Sequence, residues 1–290
     1  MAMPRTGGDP QPAPATVTDE EFARFCEFIY RRTGLSYGEA KRYFIDRRIL
    51  ERVERTGVSS VQSYLALLRF DTTGRELEEI INSLTVNETY FWREEYQFAC
   101  LANSILPEVV CTKRRGERVR IWSLPCSTGE EPYSIAMWLL ENWAEVDQYD
   151  VEIIASDIDT QALTAARRGL YDARSVQRLP KWVLDRYFER PTSDRWQIVE
   201  SLRGSIDFTH MNAFDRAQMA AMEGIDVIFC RNMLIYFDDV SRREVADSMY
   251  SSLRPGGFVC LGHSESMSRI SPLFAVRRFA DAIVYQRPAR

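Results

Sequence analysis

Four short apolar runs in the second half of the chain restrict its fold more than any other feature. They are rich in β-branched and aromatic residues, and helical patterns lie between the first of them. The runs are VRIWSL (119–124), VEIIASD (151–157), IDVIFCRN (225–232) and GFVCLGHSE (257–265). Apolar strands that alternate with helices are typical of a parallel sheet covered on both faces. The segment FAVRRFADAIVYQRP (274–288) predicts two more strands joined by a tight turn. We therefore expect a doubly wound α/β domain whose sheet ends in antiparallel strands.

The first part of the chain has a different pattern. Thr18 and Glu21 form a capping box that predicts the start of a helix, and helical patterns follow at 38–56, 60–69 and 74–84. No strand pattern precedes the first apolar run. The opening residues are rich in Pro, Gly and Ala, a composition typical of disorder. The predicted domains are a disordered tail at 1–17, an all-α domain at 18–86 and the α/β domain at 87–290.

Charge and cysteine usage disfavour several classes of protein. A net charge of −5 lacks the basicity typical of nucleic-acid binding. No apolar run approaches the roughly 18 to 20 residues of a membrane span, and the first residues lack the hydrophobic region of a secretory signal. The 6 cysteines show no C-x-x-C spacing, and the chain has 2 histidines. Several cysteines lie in apolar strand-like runs such as VIFC and FVCLG, which predicts free buried thiols there. We also predict no metal site, no membrane insertion and a cytoplasmic location.

The first strand-to-helix turn, STGEEP (127–132), is the first candidate for a ligand loop. In an open α/β sheet, ligands bind beyond the carboxyl ends of the strands, near the point where strand order reverses. The turn lacks G-x-G-x-x-G and G-K-[ST], so it does not favour phosphates. Asp157 ends the next strand, where an acidic residue typically accepts from ribose hydroxyls. Beside Glu130 and Glu131, a positively charged nucleoside such as S-adenosylmethionine is a suitable ligand. The alternative is that the two glutamates only complement the helix dipole.

Five motifs then point to a family. They are NETYFWRE (87–94), WSLPCSTGEEPYS (122–134), ASDID (155–159), IFCRNMLIYFD (228–238) and LRPGGFVCLGHSE (253–265). In this order the motifs resemble the bacterial chemotaxis receptor methyltransferases, the CheR family. The resemblance implies a Rossmann-like methyltransferase sheet, preceded by an all-α domain and carrying a small antiparallel subdomain at about 173–209. It also implies methyl transfer from S-adenosylmethionine to glutamate side chains on the cytoplasmic helices of chemoreceptors. The products would be γ-glutamyl methyl esters, which serve chemotaxis adaptation, and S-adenosylhomocysteine.

The resemblance also assigns roles to individual residues. Cofactor contacts fall on Asn87, Thr89, Arg93, Glu131, Asp157, Asn212, Ala213, Arg231 and Asn232. Arg93 and Tyr236 match positions beside the methyl-transfer centre and are the predicted catalytic residues. Five of these assignments have an alternative: Arg93 as a solvated arginine, Asp157 as a helix cap, Asn212 and Asn232 as turn residues, and Tyr236 as a core aromatic.

The expected reaction needs no general base. A glutamate with a pKa near 4.3 is already ionised at neutral pH, and the sulfonium is a built-in leaving group. What remains is to align the carboxylate with the methyl group and to remove its water. Cys126, Ser127 and His263, although close to the motifs, are therefore interpreted as structural.

The helix predicted within GEAKRYFIDRRILERVERTG (38–57) carries basic residues on one face. Lys41, Arg48, Arg52 and Arg55 fall within an arc of roughly 60° at 100° per residue. In the family the matching helix meets acidic receptor helices, which makes these four residues the predicted substrate contacts. A solvated helix face is the alternative. Glu51 and Glu54 stand where the family has arginines, which weakens the expected contact.

The predicted subdomain has two candidate strands, WQIVE (196–200) and IDFTH (206–210). Family members that dock on the receptor's C-terminal pentapeptide carry a glycine-rich loop here, whereas this chain has ERPTSDRW (189–196). We therefore expect recognition that is independent of the pentapeptide, by a monomeric enzyme. Two other functions stay open: a cofactor-binding signalling module without catalysis, and a methyltransferase for a small molecule or RNA.

Overall fold

The computed structural model describes residues 16–289, which form two compact units. One unit consists of residues 16–27 and Tyr37–Ile80, and the other consists of Phe28–Ser36 and residues 81–289. The predicted disordered tail lies outside the described residues, except for its last two positions. Of these, Val17 is buried, and its carbonyl accepts a hydrogen bond from Arg42. The tail prediction was therefore too long at this end.

The helical unit is built as the periodicity predicted. Its helices are α1 (Asp19–Thr33), α2 (Arg42–Thr56, after a 3₁₀ turn at Glu39–Lys41), α3 (Val61–Phe70) and α4 (Arg75–Leu84). The last residues of α1 and α4 belong to the second unit. The capping box is confirmed, because the Thr18 amide donates to Glu21 at 2.9 Å and the Glu21 amide donates to Thr18 Oγ1 at 3.2 Å. Ile45, Ile49 and Tyr64 are fully buried in this unit.

The second unit contains ten strands. They are β1 (Arg118–Ser123), β2 (Asp150–Asp157), β3 (Leu170–Tyr171), β4 (Phe188–Thr192), β5 (Arg195–Ile198), β6 (Ile206–His210), β7 (Ile225–Cys230), β8 (Leu253–Leu261), β9 (Ala275–Arg278) and β10 (Ile283–Gln286). Seven form the main sheet in the order β6-β2-β1-β7-β8-β10-β9. The first five in this order pair in parallel, and β10 pairs antiparallel with both of its neighbours. The predicted sheet and its antiparallel end are confirmed.

Helices connect and cover these strands. They are α5 (Glu95–Cys100), α6 (Leu106–Val110), α7 (Glu130–Asn142), α8 (Thr160–Arg168), α9 (Ala173–Val176), α10 (Lys181–Tyr187), α11 (Glu200–Arg203), α12 (Arg216–Ala220) and α13 (Asp239–Ser252). A π-helical turn joins α5 to α6. Side chains of β1 alternate between two buried clusters, with Val119 and Ile121 in one and Trp122 in the other. The sheet is therefore covered on both faces, as apolar parallel strands require. Within residues 16–289, no helix has the length and apolar character that crossing a membrane requires.

The small antiparallel sheet has the order β3-β5-β4. Of the two predicted subdomain strands, WQIVE is confirmed in part, since β5 covers its first three residues. The assignment of IDFTH to the subdomain was wrong. These residues form β6, the parallel edge strand of the main sheet, with Ile206 paired to Ile153. The physical reason is that Ile206 and Phe208 alternate with polar residues and are buried, a pattern shared by hairpin strands and sheet edges.

Strand order fixes where a ligand site lies. From β1 the chain extends to β2 and β6 on one side and then returns to β7 and β8 on the other. The carboxyl ends of β1 and β7 are therefore adjacent at the point where strand order reverses. In doubly wound sheets this point is the preferred ligand site.

Candidate functional site

A pocket of about 230 Å³ lies at this reversal point. Three segments line it: residues 86–98, the loop after β1 (residues 125–131) and the loop after β7 (residues 231–236). Six of the predicted site residues line the pocket, namely Thr89, Arg93, Glu131, Arg231, Asn232 and Tyr236. Asn87 does not line it but accepts a hydrogen bond from the lining residue Ser127. The other predicted cofactor residues lie outside the lining and are described below.

The loop after β1 is tied to the end of β2. The Cys126 amide donates to the Ser156 carbonyl at 2.9 Å, and the Ser127 amide donates to Asp157 at 2.7 Å. Gly129 has φ +96°, and a Cβ there would lie 2.9 Å from the Tyr171 hydroxyl. Glycine is therefore needed both for the backbone angle and for the close approach. The glycine of the turn allows tight packing in a loop that has no phosphate cradle.

The two glutamates of this loop differ. Glu131 lines the pocket and accepts hydrogen bonds from Ser123 Oγ at 2.7 Å and Arg231 at 2.8 Å. Glu130 faces away from the pocket lining and accepts from Thr128 and Ser175. Burial raises the pKa of both carboxyls, and Arg231 opposes this for Glu131. Both lie in the first turn of α7, where the helix dipole favours negative charge, and the cofactor contact of Glu131 stays a prediction.

Asp157 lies directly behind the loop. Its side chain is buried and accepts one hydrogen bond per oxygen, from the amides of Ser127 and Asp159. Each oxygen keeps a further lone pair for a ligand. Burial raises the pKa of this carboxyl to about 6. The residue that caps α8 is Asp159, which accepts from the amides of Gln161 and Ala162 at 2.9 Å. The alternative of Asp157 as that cap was therefore wrong, and its ribose contact stays a prediction.

Asn87 connects the loops after β1 and β2. Its amide nitrogen donates to Asp159 at 2.7 Å, and its amide oxygen accepts from Ser127 Oγ at 3.0 Å. The same Asp159 oxygen accepts from Thr85 at 2.5 Å. Asp159 was not among the predicted site residues, although its place two residues after the strand end and before a helix is typical of a cap.

Arg231 follows β7 and is a buried positive charge of the site. Its guanidinium is within 2.8 Å of Glu131 and 3.2 Å of Glu94, and donates to the Arg93 carbonyl at 2.6 Å. Its Nε is buried and has no hydrogen-bond partner among residues 16–289. Although burial opposes ionisation of Glu94, Arg231 and hydrogen bonds from His263 hold its pKa below the ordinary value. Arg231 thus joins three segments around the pocket.

Arg93 and Tyr236, the predicted catalytic residues, both line the pocket and are half-buried. Arg93 donates to the Glu88 carbonyl at 2.7 Å. Burial raises the pKa of Tyr236, and the nearby charge of Arg93 opposes this. The buried aromatic of this run is its neighbour Phe237, so the alternative of Tyr236 as a core residue was wrong. Tyr236 is a protonated hydrogen-bond donor at neutral pH.

The loop that carries Tyr236 is held by the carboxylate of Glu265, which was not among the predicted site residues. Glu265 accepts from the amides of Asn232 at 2.7 Å, Leu234 at 2.8 Å and Gly262 at 3.0 Å. Its place in the GHSE motif, directly after a strand, is the sequence signal for this role. Asn232 lies in this turn with φ +58° and lines the pocket. The turn role given as its alternative is therefore present, and its cofactor contact stays a prediction.

Asn212 and Ala213 do not line the pocket. The Asn212 side chain accepts from the Phe214 amide at 3.0 Å and donates to the Arg32 carbonyl at 2.7 Å, which is the turn role given as its alternative. Ala213 is buried. The predicted adenine contact of Asn212 stays a prediction.

Backbone strain is concentrated at this site. The non-glycine residues with positive φ within residues 16–289 are Trp92, Glu94, Ser127 and Asn232, at 49° to 58°. All four lie in the three lining segments. Left-handed conformations cost about 1–2 kcal/mol per residue and persist where surrounding contacts enforce them, often at functional sites.

The helical unit corrects one predicted substrate contact. Arg52 is 8% exposed and forms a fork with Glu76 at 2.6 and 2.9 Å, while the Tyr64 hydroxyl donates to the same carboxylate. Arg52 was therefore wrongly placed on an accessible stripe, because it lies at the inward edge of the arc. A buried fork of this kind stabilises the unit's interior, and its burial keeps Arg52 from the surface where a partner would bind.

The remaining basic positions stay at the surface. Lys41, Arg48 and Arg55 recur every seven residues, with Arg55 and Lys41 exposed. Arg48 stacks on Phe44 and donates to Glu51 at 2.8 Å. Glu51, one of the acidic departures from the family pattern, therefore offsets part of the positive charge of this face.

The chemistry of the pocket fits S-adenosylmethionine. The Glu131 carboxylate lies beside the Arg231 guanidinium, which has an unpartnered buried nitrogen. This pair suits the ammonium and the carboxylate of an amino acid. The absence of a phosphate-binding glycine pattern in the loop after β1 suits a nucleoside without phosphates.

Comparison with known proteins gives the same answer. The model of the CheR methyltransferase all-alpha domain matches residues 20–85, and that of the CheR methyltransferase SAM binding domain matches residues 87–282. Chemotaxis protein methyltransferase 2 of Vibrio cholerae serotype O1 is 49% identical over 272 residues, 94% of each chain. The chemotaxis protein methyltransferase of Escherichia coli (strain K12) is 35% identical over 264 residues, 90% of this chain and 89% of that one. This chain thus belongs to the CheR methyltransferase family, as a methyltransferase of chemotaxis that uses S-adenosylmethionine.

Proposed function

We propose that the protein methylates glutamate side chains on the cytoplasmic helices of chemoreceptors, forming γ-glutamyl methyl esters. The observation that carries this proposal is the placement of Arg93 and Tyr236 in one pocket. A guanidinium is a permanently charged fork suited to a carboxylate, and the Tyr236 hydroxyl is a second donor. Among the described lining residues there is no histidine to serve as a base. An acceptor that is already ionised needs none.

The cysteine of the pocket supports direct transfer. Cys126 lines the pocket, but burial raises the pKa of its thiol well above the ordinary value. The reactive form of cysteine is the thiolate, so this thiol is a poor nucleophile. A single displacement needs no covalent enzyme intermediate.

In that displacement a glutamate oxygen forms a bond to the methyl carbon as the carbon–sulfur bond breaks. When bound, S-adenosylmethionine supplies the methyl group, and its sulfur takes the electron pair. Arg93 would hold the attacking carboxylate, and Tyr236 would donate to it or orient it beside the methyl group. Positioning and removal of water then supply the acceleration.

The cofactor would be held by residues from all three segments. Glu131 and Arg231 would bind the amino acid end, with Asn87, Thr89 and Asn232 at the pocket wall. Asp157 would accept from the ribose hydroxyls. Asn212 and Ala213 would contact the edge of the adenine. For this contact, the Asn212 side chain must use the donor and acceptor positions that its turn leaves unoccupied.

Substrate recognition would use the basic face of α2. Methylated receptor segments are acidic helices in this family, and Lys41, Arg48 and Arg55 would steer them by charge. The turn between β4 and β5 consists of Ser193 and Asp194 and has no glycine. We therefore propose recognition that does not use the receptor's C-terminal pentapeptide, by a monomer.

The test is radiolabelled methyl transfer from S-adenosylmethionine to receptor-containing membranes. Label that enters the receptor and is released by mild base would support glutamyl methyl esters. A receptor whose methylation-site glutamates are replaced by alanine is the control, and it should stay unlabelled. Base-stable label, or equal labelling of the control receptor, would contradict the proposal.

A further inference from the structure

The segment that carries Arg93 is strained on both sides. Trp92 has φ +58° and Glu94 has φ +57°, so Arg93 lies between two left-handed residues. Neither residue has the small polar side chain that tolerates this conformation. The segment therefore depends on contacts from other elements to keep its shape.

Several of these contacts are made by the backbone. The Trp92 amide donates to Ser134 Oγ on α7 at 3.1 Å, and Arg231 donates to the Arg93 carbonyl at 2.6 Å. The Glu94 carbonyl accepts from the Gln97 amide at 2.8 Å, which starts α5. These three hydrogen bonds fix the middle and the end of the segment that carries Arg93. The Glu94 side chain connects the same segment to the loop after β8.

His263 is the residue on the other side of that tie. Its Nδ1 lies 2.7 Å from Glu94 Oε1, and its amide lies 3.4 Å from the same oxygen. The pKa of Glu94 is held low, so its carboxylate is an acceptor and Nδ1 is the donor. The Glu94 side chain is 11% exposed, whereas the His263 side chain is 68% exposed. His263 does not line the pocket.

We propose that the His263–Glu94 hydrogen bond is a bridge that holds the strained segment and thereby positions Arg93 at the pocket. His263 and Glu94 are positioning residues, since neither needs to touch the reacting atoms. The bridge joins the loop after β8 to the helix start at Glu94, across the loop after β7 that carries Arg231. The role given to Arg93 rests on the proposed function, but the mechanical role of the bridge does not.

The test compares His263→Ala with His263→Asn in the full-length protein. An asparagine amide nitrogen occupies nearly the place of Nδ1, so the Asn variant keeps the donor, whereas the Ala variant loses it. In His263→Ala, hydrogen exchange of amides 92–97 should become faster by roughly tenfold. The kcat for receptor methylation should fall by roughly tenfold, since small misplacements of catalytic groups are costly. The Asn variant should restore both to within about twofold.

Three results would overturn the bridge. Unchanged exchange in the Ala variant would mean that the segment holds without His263. Faster exchange with an unchanged kcat would mean that the bridge does not position Arg93. Equal loss in the Ala and Asn variants would mean that the ring, and not its Nδ1 donor, matters. Failure of the wild-type enzyme to methylate receptor would sink the proposed function alone, because hydrogen exchange is measured without receptor.

Discussion

Asp157 should make cofactor affinity depend on pH. The carboxyl has a pKa of about 6 because it is buried, and it is proposed to accept from ribose hydroxyls in its ionised form. With that pKa, about 97% of the group is ionised at pH 7.5 and about 9% at pH 5. Affinity for S-adenosylhomocysteine should therefore fall about tenfold between these pH values, or about 1.4 kcal/mol.

The raised pKa of Asp157 also makes the stability of the fold depend on pH. A carboxyl whose folded pKa is raised favours folding most below its unfolded pKa, and this contribution is lost as pH rises through about 6. Cofactor affinity should follow the opposite trend, because binding needs the ionised form. The two trends separate loss of binding at low pH from simple unfolding.

The variant that isolates this effect is Asp157→Asn. It removes the charge and keeps one acceptor for the amides of Ser127 and Asp159. At pH 7.5 we expect affinity to fall by about 1.5–3 kcal/mol, the value of a hydrogen bond to a charged group, and to lose the tenfold pH dependence. The assay is isothermal titration calorimetry with S-adenosylhomocysteine at pH 5 to 7.5. Asp71→Asn is the matched control, since Asp71 also accepts two backbone amides but lies in the helical unit. Unchanged affinity in folded Asp157→Asn, or an equal pH dependence in both proteins, would refute the reasoning.

Three further predictions concern catalysis, recognition and stability. Tyr236→Phe should lower kcat by roughly 10- to 100-fold while S-adenosylhomocysteine affinity stays nearly constant, because the hydroxyl is proposed to act on the reacting carboxylate; a wild-type rate in the methylation assay would contradict this. Reversal of Arg48 and Arg55 to Glu should lower kcat/KM for receptor, most strongly below physiological ionic strength. If the variant keeps the wild-type salt dependence of kcat/KM, this face of the helix is only a solvated surface and does not contact the receptor. Arg52→Ala should lower the free energy of unfolding by about 3 kcal/mol, since it strands the buried Glu76 carboxylate. Arg47→Ala, which breaks an exposed pair with Glu51, should cost at most about 0.5 kcal/mol in the same urea titration. Equal effects of the two would refute the burial argument.

The sequence predicted the sheet well because its strands carry their own signal. Apolar runs buried on both faces need no partner information to be recognised, and the capping box at Thr18 needs only local chemistry. Strand order is different. IDFTH was assigned to the wrong sheet because alternation shows that one face of a strand is buried but not which strand lies beside it. The helices at Glu95–Cys100 and Leu106–Val110 were missed, since a π-helical turn interrupts their periodicity.

Site residues that follow the ends of strands could be predicted from the sequence. Residues whose role depends on backbone groups far away in the chain could not. Glu131, Arg231 and Tyr236 follow strands whose carboxyl ends meet, so their convergence could be inferred. Glu265 holds three amides from two turns, and no sequence spacing encodes that arrangement. Arg52 shows the same limit in the helical unit, because a 20° rotation about a helix decides between solvent and interior.

The left-handed residues of the pocket connect cofactor supply to the lifetime of the enzyme. Strain in the closed arrangement lowers the free energy that opening of the lining segments costs, so a protease would reach these segments more readily than unstrained ones. A ligand that binds only the closed arrangement stabilises it in proportion to the logarithm of its free concentration. A cell with abundant S-adenosylmethionine would therefore keep more of this protein intact than a starved cell, without any change in its synthesis.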